Sequence, residues 1–134
     1  MRAGTHTIRP MPDLSAPRVV VIDDDESVRD VTALFLTERG YDVRVASTAD
    51  DGISLVRKTL PQVVLCDIEM RGIGGTDVVA VLKADIETHK IPVALMSGRL
   101  EPDTFALGDA FISKPFSAET ITTVVQRLMA RRLA

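Results

Sequence analysis

Short apolar runs alternate with longer amphipathic stretches from residue 18 to the end of the chain. The first run, Val19 to Ile22, is continuous and β-branched, which is typical of a strand buried on both faces of a sheet. Residues 27–40 then carry apolar side chains at helical spacing and end in a glycine, which predicts a helix. The alternation continues and predicts strands at 41–46, 63–66, 91–96 and 110–113 and helices at 49–60, 77–86 and 117–131, the last with Ser117 as its N-cap.

Strands that alternate with helices predict a parallel sheet, because each connection must be a long right-handed crossover. The expected fold class is α/β, with a doubly wound five-stranded parallel sheet in a domain spanning residues 18–133. Residues 1–17 contain three prolines and no apolar period, and we expect them to form a flexible N-terminal arm. Ligands of such sheets bind beyond the carboxyl ends of the strands, so chemistry is expected at that edge.

Composition narrows the classes of function. A chain of 134 residues with a net charge of −3 fits one ordinary domain. No apolar run approaches the roughly 20 residues that cross a bilayer, so we expect a cytoplasmic protein and no membrane contact. The pI of about 5.3 and the absence of tryptophan argue against direct DNA binding. Cys66 is the only cysteine, which excludes an internal disulfide and favours a buried thiol.

Polar side chains follow four of the predicted strands. Acids occupy residues 23–26 after the first strand, Asp67 ends the third, Ser97 ends the fourth, and Lys114 follows the fifth. Converging carboxylates repel one another unless they hold a proton or bind a cation, and ligands that are all oxygen favour Mg²⁺. With a cation present, one carboxylate can attack phosphorus while an ammonium and a hydroxyl stabilise the phosphoryl oxygens. Asp67, Lys114 and Ser97 suit these three roles.

On these residues the chain resembles the receiver domain of two-component response regulators, over about residues 18–133. The similar motifs are VVVIDD ending at Asp24, VVLCD ending at Asp67, PVALMSG around Ser97 and FISKPF around Lys114. The steps of 43 residues from Asp24 to Asp67 and 30 residues from Asp67 to Ser97 are also similar to those of the family. The resemblance implies a CheY-like, flavodoxin-like sheet with strand order 2-1-3-4-5.

The resemblance also implies a reaction and a metal. Asp67 would accept a phosphoryl group from a histidine kinase or a histidine phosphotransfer protein. Mg²⁺ would be bound by Asp24, Asp67 and the backbone carbonyl of Glu69, with Asp23 acting mostly through water. Such a domain is a signalling phosphoacceptor and not an enzyme, apart from its own autophosphorylation and autodephosphorylation.

Three further residues would convert phosphorylation into a signal. By the resemblance, Lys114 pairs first with the aspartate and later with the phosphoryl oxygens, Ser97 swings toward the phosphoryl group, and Phe111 follows it inward. Only 20 residues follow Lys114, and the last predicted helix uses them, so we expect no effector domain. The signal would then pass by partner binding or by phosphate relay, either from a stand-alone regulator or from a receiver belonging to a hybrid kinase.

Two features depart from the family pattern. Arg71 stands where proline is usual, in a loop that contains Gly72, Gly74 and Gly75, so this loop is expected to be less preorganised. The step from Ser97 to Lys114 is only 17 residues, which predicts a short helix between the fourth and fifth strands. The surface that commonly carries the output in the family is therefore expected to differ.

Two other functions remain open from the residues. Residues 22–27 can be read as a strand followed by DxDxS, the start of a haloacid-dehalogenase-type phosphohydrolase, but such an enzyme needs an acidic pair after the lysine. Beyond Lys114 only Glu119 is acidic. A receiver that docks partners without phosphorylation is favoured by the altered loop and the short helix, and it is opposed by the complete set of site residues.

Overall fold

The computed structural model describes residues 16–99 and 107–133. These residues form five strands and four helices that alternate along most of the chain. The strands are β1 Arg18–Ile22, β2 Asp42–Ala46, β3 Val63–Asp67, β4 Val93–Ser97 and β5 Ala110–Ser113. The helices are α1 Glu26–Thr37, α2 Ala49–Thr59, α3 Gly75–Ala84 and α4 Ala118–Leu133.

All five strands join one parallel sheet in the order β2-β1-β3-β4-β5. The chain moves to one side of β1 for β2 and to the other side for β3, so the direction of winding reverses between β1 and β3. In register, Ile22 pairs with Cys66 and Asp67 pairs with Met96. This topology confirms the predicted fold class and strand order. It also places the ends of β1 and β3 side by side, where a ligand site is expected.

The β1 run is apolar throughout because both faces of the sheet are covered. Val19 and Val21 belong to one core and Val20 and Ile22 to the other, as the two-residue period of a strand requires. Helices α1 and α4 cover the first face with Leu36, Ile121, Val125 and Leu128. Helices α2 and α3 cover the second face with Ile53, Val56, Val78, Val79 and Leu82. Two layers of helix around the sheet hold the strand ends in fixed positions.

Several element boundaries differ from the sequence-based prediction. Helix α3 begins two residues early, because Gly74 is its N-cap and the Asp77 carboxylate accepts a hydrogen bond from the Gly74 N–H at 3.2 Å. It ends before 86 because Asp85 has extended backbone angles. Helix α1 begins at Glu26, with the Asp25 carboxylate capping the Val28 N–H at 3.1 Å. Local capping contacts, which the apolar period does not report, determine these boundaries.

Two sequence-based predictions fall on residues that are not described. The predicted N-terminal arm spans residues 1–17, and its residues 1–15 lie outside the described residues. The short helix between the fourth and fifth strands falls on 98–109, and residues 100–106 of it lie outside the described residues as well. Both stay predictions. In the described part of the chain, no helix combines the length and the apolar character needed to cross a membrane.

Candidate functional site

Three acids converge at the carboxyl edge of the sheet. Asp23 and Asp24 follow β1, and Asp67 is the last residue of β3, the neighbouring strand. One carboxylate oxygen from each lies within 4.8 Å of the others. Asp23 is fully buried and Asp67 is 4% exposed, whereas Asp24 faces solvent. The reversal of winding between β1 and β3 thus brings together acids that are more than forty residues apart in sequence.

Asp23 is held rigidly from several directions. Its Oδ1 accepts the Asp25 N–H at 2.9 Å, and its Oδ2 accepts a hydrogen bond from Lys114 Nζ at 2.9 Å. Its backbone N–H donates to the Ala46 carbonyl at 3.1 Å, and its own carbonyl accepts from the Arg29 guanidinium at 3.2 Å. A buried carboxylate needs such partners, because an unpaired buried charge is costly. Asp23 therefore anchors the site and the lysine together.

Lys114 contacts both the buried acids and the end of β4. Its Nζ lies 2.9 Å from Asp23 Oδ2 and 3.2 Å from Asp67 Oδ1. Burial alone would lower the pKa of Lys114, but the hydrogen bond and the charge of Asp23, together with the charge of Asp67, raise it above its ordinary value. The side chain is therefore an ammonium at neutral pH. Its backbone N–H donates to the Ser97 carbonyl at 2.8 Å, which fixes Lys114 beside the end of β4.

Asp67 is the unsatisfied member of the cluster. Its Oδ1 is buried and accepts no hydrogen bond of full geometry from the described residues, and the Lys114 ammonium lies 3.2 Å away as an ion-pair partner. Burial, and next the charge of Asp23, raise the pKa of Asp67 to about 6, against the opposing charge of Lys114. A buried carboxylate with a vacant acceptor, beside two further acids, fits an oxygen-liganded divalent cation such as Mg²⁺.

Ser97 lies at the end of β4 and is fully buried. Its hydroxyl donates to the Glu69 carboxylate, with Oγ 2.9 Å from Oε1 and 2.8 Å from Oε2. The Arg99 N–H donates to the same Oγ at 2.9 Å. Sequence reasoning selected Glu69 for its backbone carbonyl and missed this side-chain contact. No sequence signal reports it, because the two residues are 28 positions apart and meet only through the pairing of β3 with β4.

The loop after β3 is tied to the acidic cluster. The Arg71 backbone N–H donates to Asp24 Oδ2 at 3.2 Å. A proline at this position has no N–H, so the departure from the family pattern supplies a contact that the usual residue cannot make. Gly75, the first residue of α3, lies so close to β3 that a Cβ there would be 3.0 Å from the Asp67 carbonyl carbon. Glycine allows the helix to begin directly against the strand that ends in Asp67.

Phe111 lies in β5 opposite Leu95 of β4 and is partly buried against the core on the α2 and α3 face. It does not belong to the acidic cluster, and its proposed movement stays a prediction. Cys66 is buried, and burial raises the pKa of its thiol. Among the described residues, the one group of acids close enough to share a metal is Asp23, Asp24 and Asp67. Beyond Lys114 the only acid in the sequence is Glu119, so the acidic pair that a dehalogenase-type hydrolase needs after the lysine cannot form.

Comparison with known proteins agrees with the fold. The family model described as the response regulator receiver domain matches residues 19–126. The DNA-binding response regulator MtrA of Mycolicibacterium smegmatis is 27% identical over 124 residues, which are 89% of this chain and 53% of that protein. The chain thus spans about half the length of the curated relatives it matches.

Solved structures show the same fold. A CheY-like receiver domain protein from Methanospirillum hungatei superposes with a TM-score of 0.81 at 22% identity, covering 89% of this chain and 98% of that one. The chemotaxis protein CheY4 of Vibrio cholerae superposes with a TM-score of 0.80 at 23% identity, covering 85% and 99%. Since the family model covers most of the chain, the chain belongs to the receiver domain family of two-component response regulators.

Proposed function

We propose that Asp67 is the phosphoacceptor of this receiver domain and that it works with Mg²⁺. The observation that carries the proposal is the buried Asp67 Oδ1, which accepts no hydrogen bond from the described residues and lies 3.2 Å from the Lys114 ammonium. A carboxylate held in this way is a desolvated nucleophile beside a fixed positive charge. The receiver family binds Mg²⁺ at an acidic pocket, and this chain has such a pocket in Asp23, Asp24 and Asp67.

The proposed ligands of Mg²⁺ are the carboxylates of Asp24 and Asp67 and the backbone carbonyl of Glu69, with Asp23 acting through water. The metal would offset the repulsion among the carboxylates and stabilise the negative oxygens of the phosphoryl group. The Arg71 N–H orients the Asp24 carboxylate for this role from the side of the loop. Asp23 is already engaged by Lys114 and by the Asp25 N–H, which agrees with its indirect part.

The proposed reaction transfers a phosphoryl group from a histidine side chain. An Asp67 oxygen attacks phosphorus, the P–N bond of the phosphohistidine breaks, and the imidazole leaves and takes up a proton. The product is an aspartyl phosphate. The Lys114 ammonium, held by Asp23, shares the charge of the phosphoryl oxygens, and Ser97 donates to one of them when it turns inward. Phe111 then moves with Ser97.

The partners and the setting follow as proposals from this chemistry. The donor is a histidine kinase or a histidine phosphotransfer protein in the cytoplasm, and the output passes by protein binding or phosphate relay and not by direct DNA contact. The only reactions of the domain itself are autophosphorylation and autodephosphorylation. Residues 18–133 would form the receiver domain and residues 1–17 an N-terminal arm.

Intact mass spectrometry after incubation with acetyl phosphate and Mg²⁺ tests the proposal. We expect the wild-type chain to gain one phosphoryl group and Asp67→Asn to gain none, because an amide is not a nucleophile. Asp30→Asn, which changes an exposed acid of α1, is the matched control and should be phosphorylated like the wild type. Equal phosphorylation of Asp67→Asn contradicts the assignment. No phosphorylation of the wild type, with a histidine kinase as donor too, would favour a receiver that docks partners without phosphorylation.

A further inference from the structure

The Ser97 hydroxyl donates its hydrogen bond to a residue outside the acidic cluster. Its proton points at the Glu69 carboxylate, whose two oxygens lie 2.9 and 2.8 Å from Oγ. The Arg99 N–H occupies an acceptor position of the same oxygen at 2.9 Å. Ser97 is fully buried, whereas Glu69 lies in the exposed loop that follows β3. The buried Ser97 hydroxyl is thus bonded to a charged side chain that lies on an exposed loop.

A serine hydroxyl has one proton, so it cannot donate to Glu69 and to a phosphoryl oxygen at the same time. We propose that the Glu69 side chain is a latch: it holds Ser97 in the unphosphorylated arrangement and competes with the phosphoryl group on Asp67 for the hydroxyl proton. This inference rests on the proposed function of Asp67. Glu69 is then a positioning residue that acts through Ser97, in addition to any part its backbone carbonyl has in binding metal.

The charge of the latch makes it responsive to phosphorylation. A hydrogen bond to a carboxylate is stronger than one to a neutral acceptor, so the latch favours the unphosphorylated arrangement while the site holds no phosphoryl group. A phosphoryl group adds negative charge close to Glu69 and offers Ser97 a competing charged acceptor. Repulsion then favours movement of Glu69 toward solvent, which releases the hydroxyl.

The variants Glu69→Gln and Glu69→Ala separate charge from hydrogen bonding. The glutamine variant keeps one acceptor oxygen without the charge, and the alanine variant keeps neither, so the latch should weaken in that order. The matched control is Glu87→Gln, which removes an exposed charge from the segment between α3 and β4, before the start of β4 and away from the carboxyl edge of the sheet. The Ser97→Ala variant lacks the hydroxyl, so in that background Glu69 has no hydrogen bond to residue 97 that a substitution could remove.

Nuclear magnetic resonance of the β4 and β5 amides measures the fraction of switched conformer, with the acetyl-phosphate-treated protein as the reference for the switched state. We expect Glu69→Ala to raise the switched to unswitched ratio of the unphosphorylated protein about fivefold, the size expected for one modest hydrogen bond. The rise should be smaller for Glu69→Gln, absent for Glu87→Gln, and absent when Glu69→Ala is combined with Ser97→Ala. The Arg99 amide resonance should move in Glu69→Ala without any phosphoryl donor, since that N–H shares the Ser97 oxygen.

Three outcomes would overturn parts of this account, and they are distinguishable. An unchanged Arg99 resonance and an unchanged switched fraction in Glu69→Ala, with normal phosphoryl uptake by mass, overturn the latch alone. A rise of the same size in the Ser97→Ala background shows that Glu69 acts by a route other than the Ser97 hydroxyl and also overturns the latch. Failure of the wild type to take up phosphoryl overturns the proposed function and with it the competition for the hydroxyl.

Discussion

At the scale of single residues, the surroundings of Asp67 oppose the ionised form of the carboxylate that the proposed chemistry requires. It is buried, it adjoins a second buried carboxylate, and its Oδ1 accepts no hydrogen bond from the described residues. These surroundings disfavour its charged form and raise its pKa to about 6, and the Lys114 ammonium offsets the effect only in part. The residue best placed for chemistry therefore lowers the stability of the metal-free fold at neutral pH, as is common where function and packing compete.

This conflict predicts that Asp67→Asn stabilises the metal-free protein. The folded-state pKa of about 6 lies above the ordinary value of 3.8, so ionisation is easier in the unfolded chain. The destabilisation is absent below about pH 4, develops between pH 4 and pH 6, and is complete above pH 6. Chemical denaturation in a chelating buffer at pH 8 should show a gain of about 2 kcal/mol for the variant, somewhat below the full value of the shift because the amide must also be buried.

Repeating the measurement at pH 3.5 provides the control, since both proteins are then uncharged at this position and the gain should disappear. A gain that persists unchanged at pH 3.5 would show that relief of charge is not its source.

At the scale of elements, the geometry of the site depends on the short distance between the start of α3 and the end of β3. The helix starts at Gly75, whose N–H donates to the Ile68 carbonyl at 3.1 Å, immediately after the loop that leaves Asp67. A side chain at Gly75 would meet backbone atoms of Asp67 and Ile68, which cannot turn away as a flexible side chain can. The same approach fixes the path of the loop that carries Glu69 and Arg71.

We therefore expect Gly75→Ala to lower the free energy of unfolding by about 1 to 3 kcal/mol, the range typical of overpacking. Gly98→Ala is the matched control, because a Cβ at Gly98 would meet no atom of residues 16–99 or 107–133 within 4 Å, and its stability should change little. Thermal or urea unfolding of both variants measures the difference. Equal stability of the two variants would contradict the close approach of α3 to β3.

The sequence predicted the elements better than their limits or their side-chain contacts. The continuous apolar run of β1 and the periodic helices are local patterns, so the fold class could be inferred from them. The strand order followed only from the family resemblance. The start of α3 at Gly75 was missed because capping by Asp77 does not alter the apolar period. The hydrogen bond between Glu69 and Ser97 was missed because it joins the loop after β3 to the end of β4, which meet only through strand pairing.

At the scale of the whole molecule, the arrangement of the site depends on the complete fold. Asp23, Asp67, Ser97 and Lys114 come from the ends of four different strands, so their arrangement exists only when the sheet is complete. Any ion that binds these groups in the folded chain and not in the unfolded one stabilises the fold by mass action. Membership of the receiver family makes Mg²⁺ the ion to test.

Mg²⁺ should accordingly raise the melting temperature of the wild-type chain in a concentration-dependent way, and Asp24→Asn should remove most of the increase. The variant keeps an acceptor oxygen for the Arg71 N–H, so its fold without metal should be preserved. Differential scanning calorimetry over a Mg²⁺ titration measures the effect. Asp30→Asn, an exposed acid on α1, should respond to Mg²⁺ like the wild type. An undiminished response of Asp24→Asn would remove this residue from the metal site.

The peptide hydrogen bond from the Lys114 N–H to the Ser97 carbonyl has a mechanical consequence. It extends the pairing of β4 and β5, in which Ser97 is already in register with Ser113, by one residue beyond β5. The two backbones are therefore clamped where the hydroxyl and the ammonium branch from them. Sliding of one strand along the other would break this clamp, whereas turning a side chain about its Cα–Cβ bond leaves it intact. A movement of Ser97 that keeps this hydrogen bond is therefore limited to rotation of its side chain, with the backbone of the sheet unchanged.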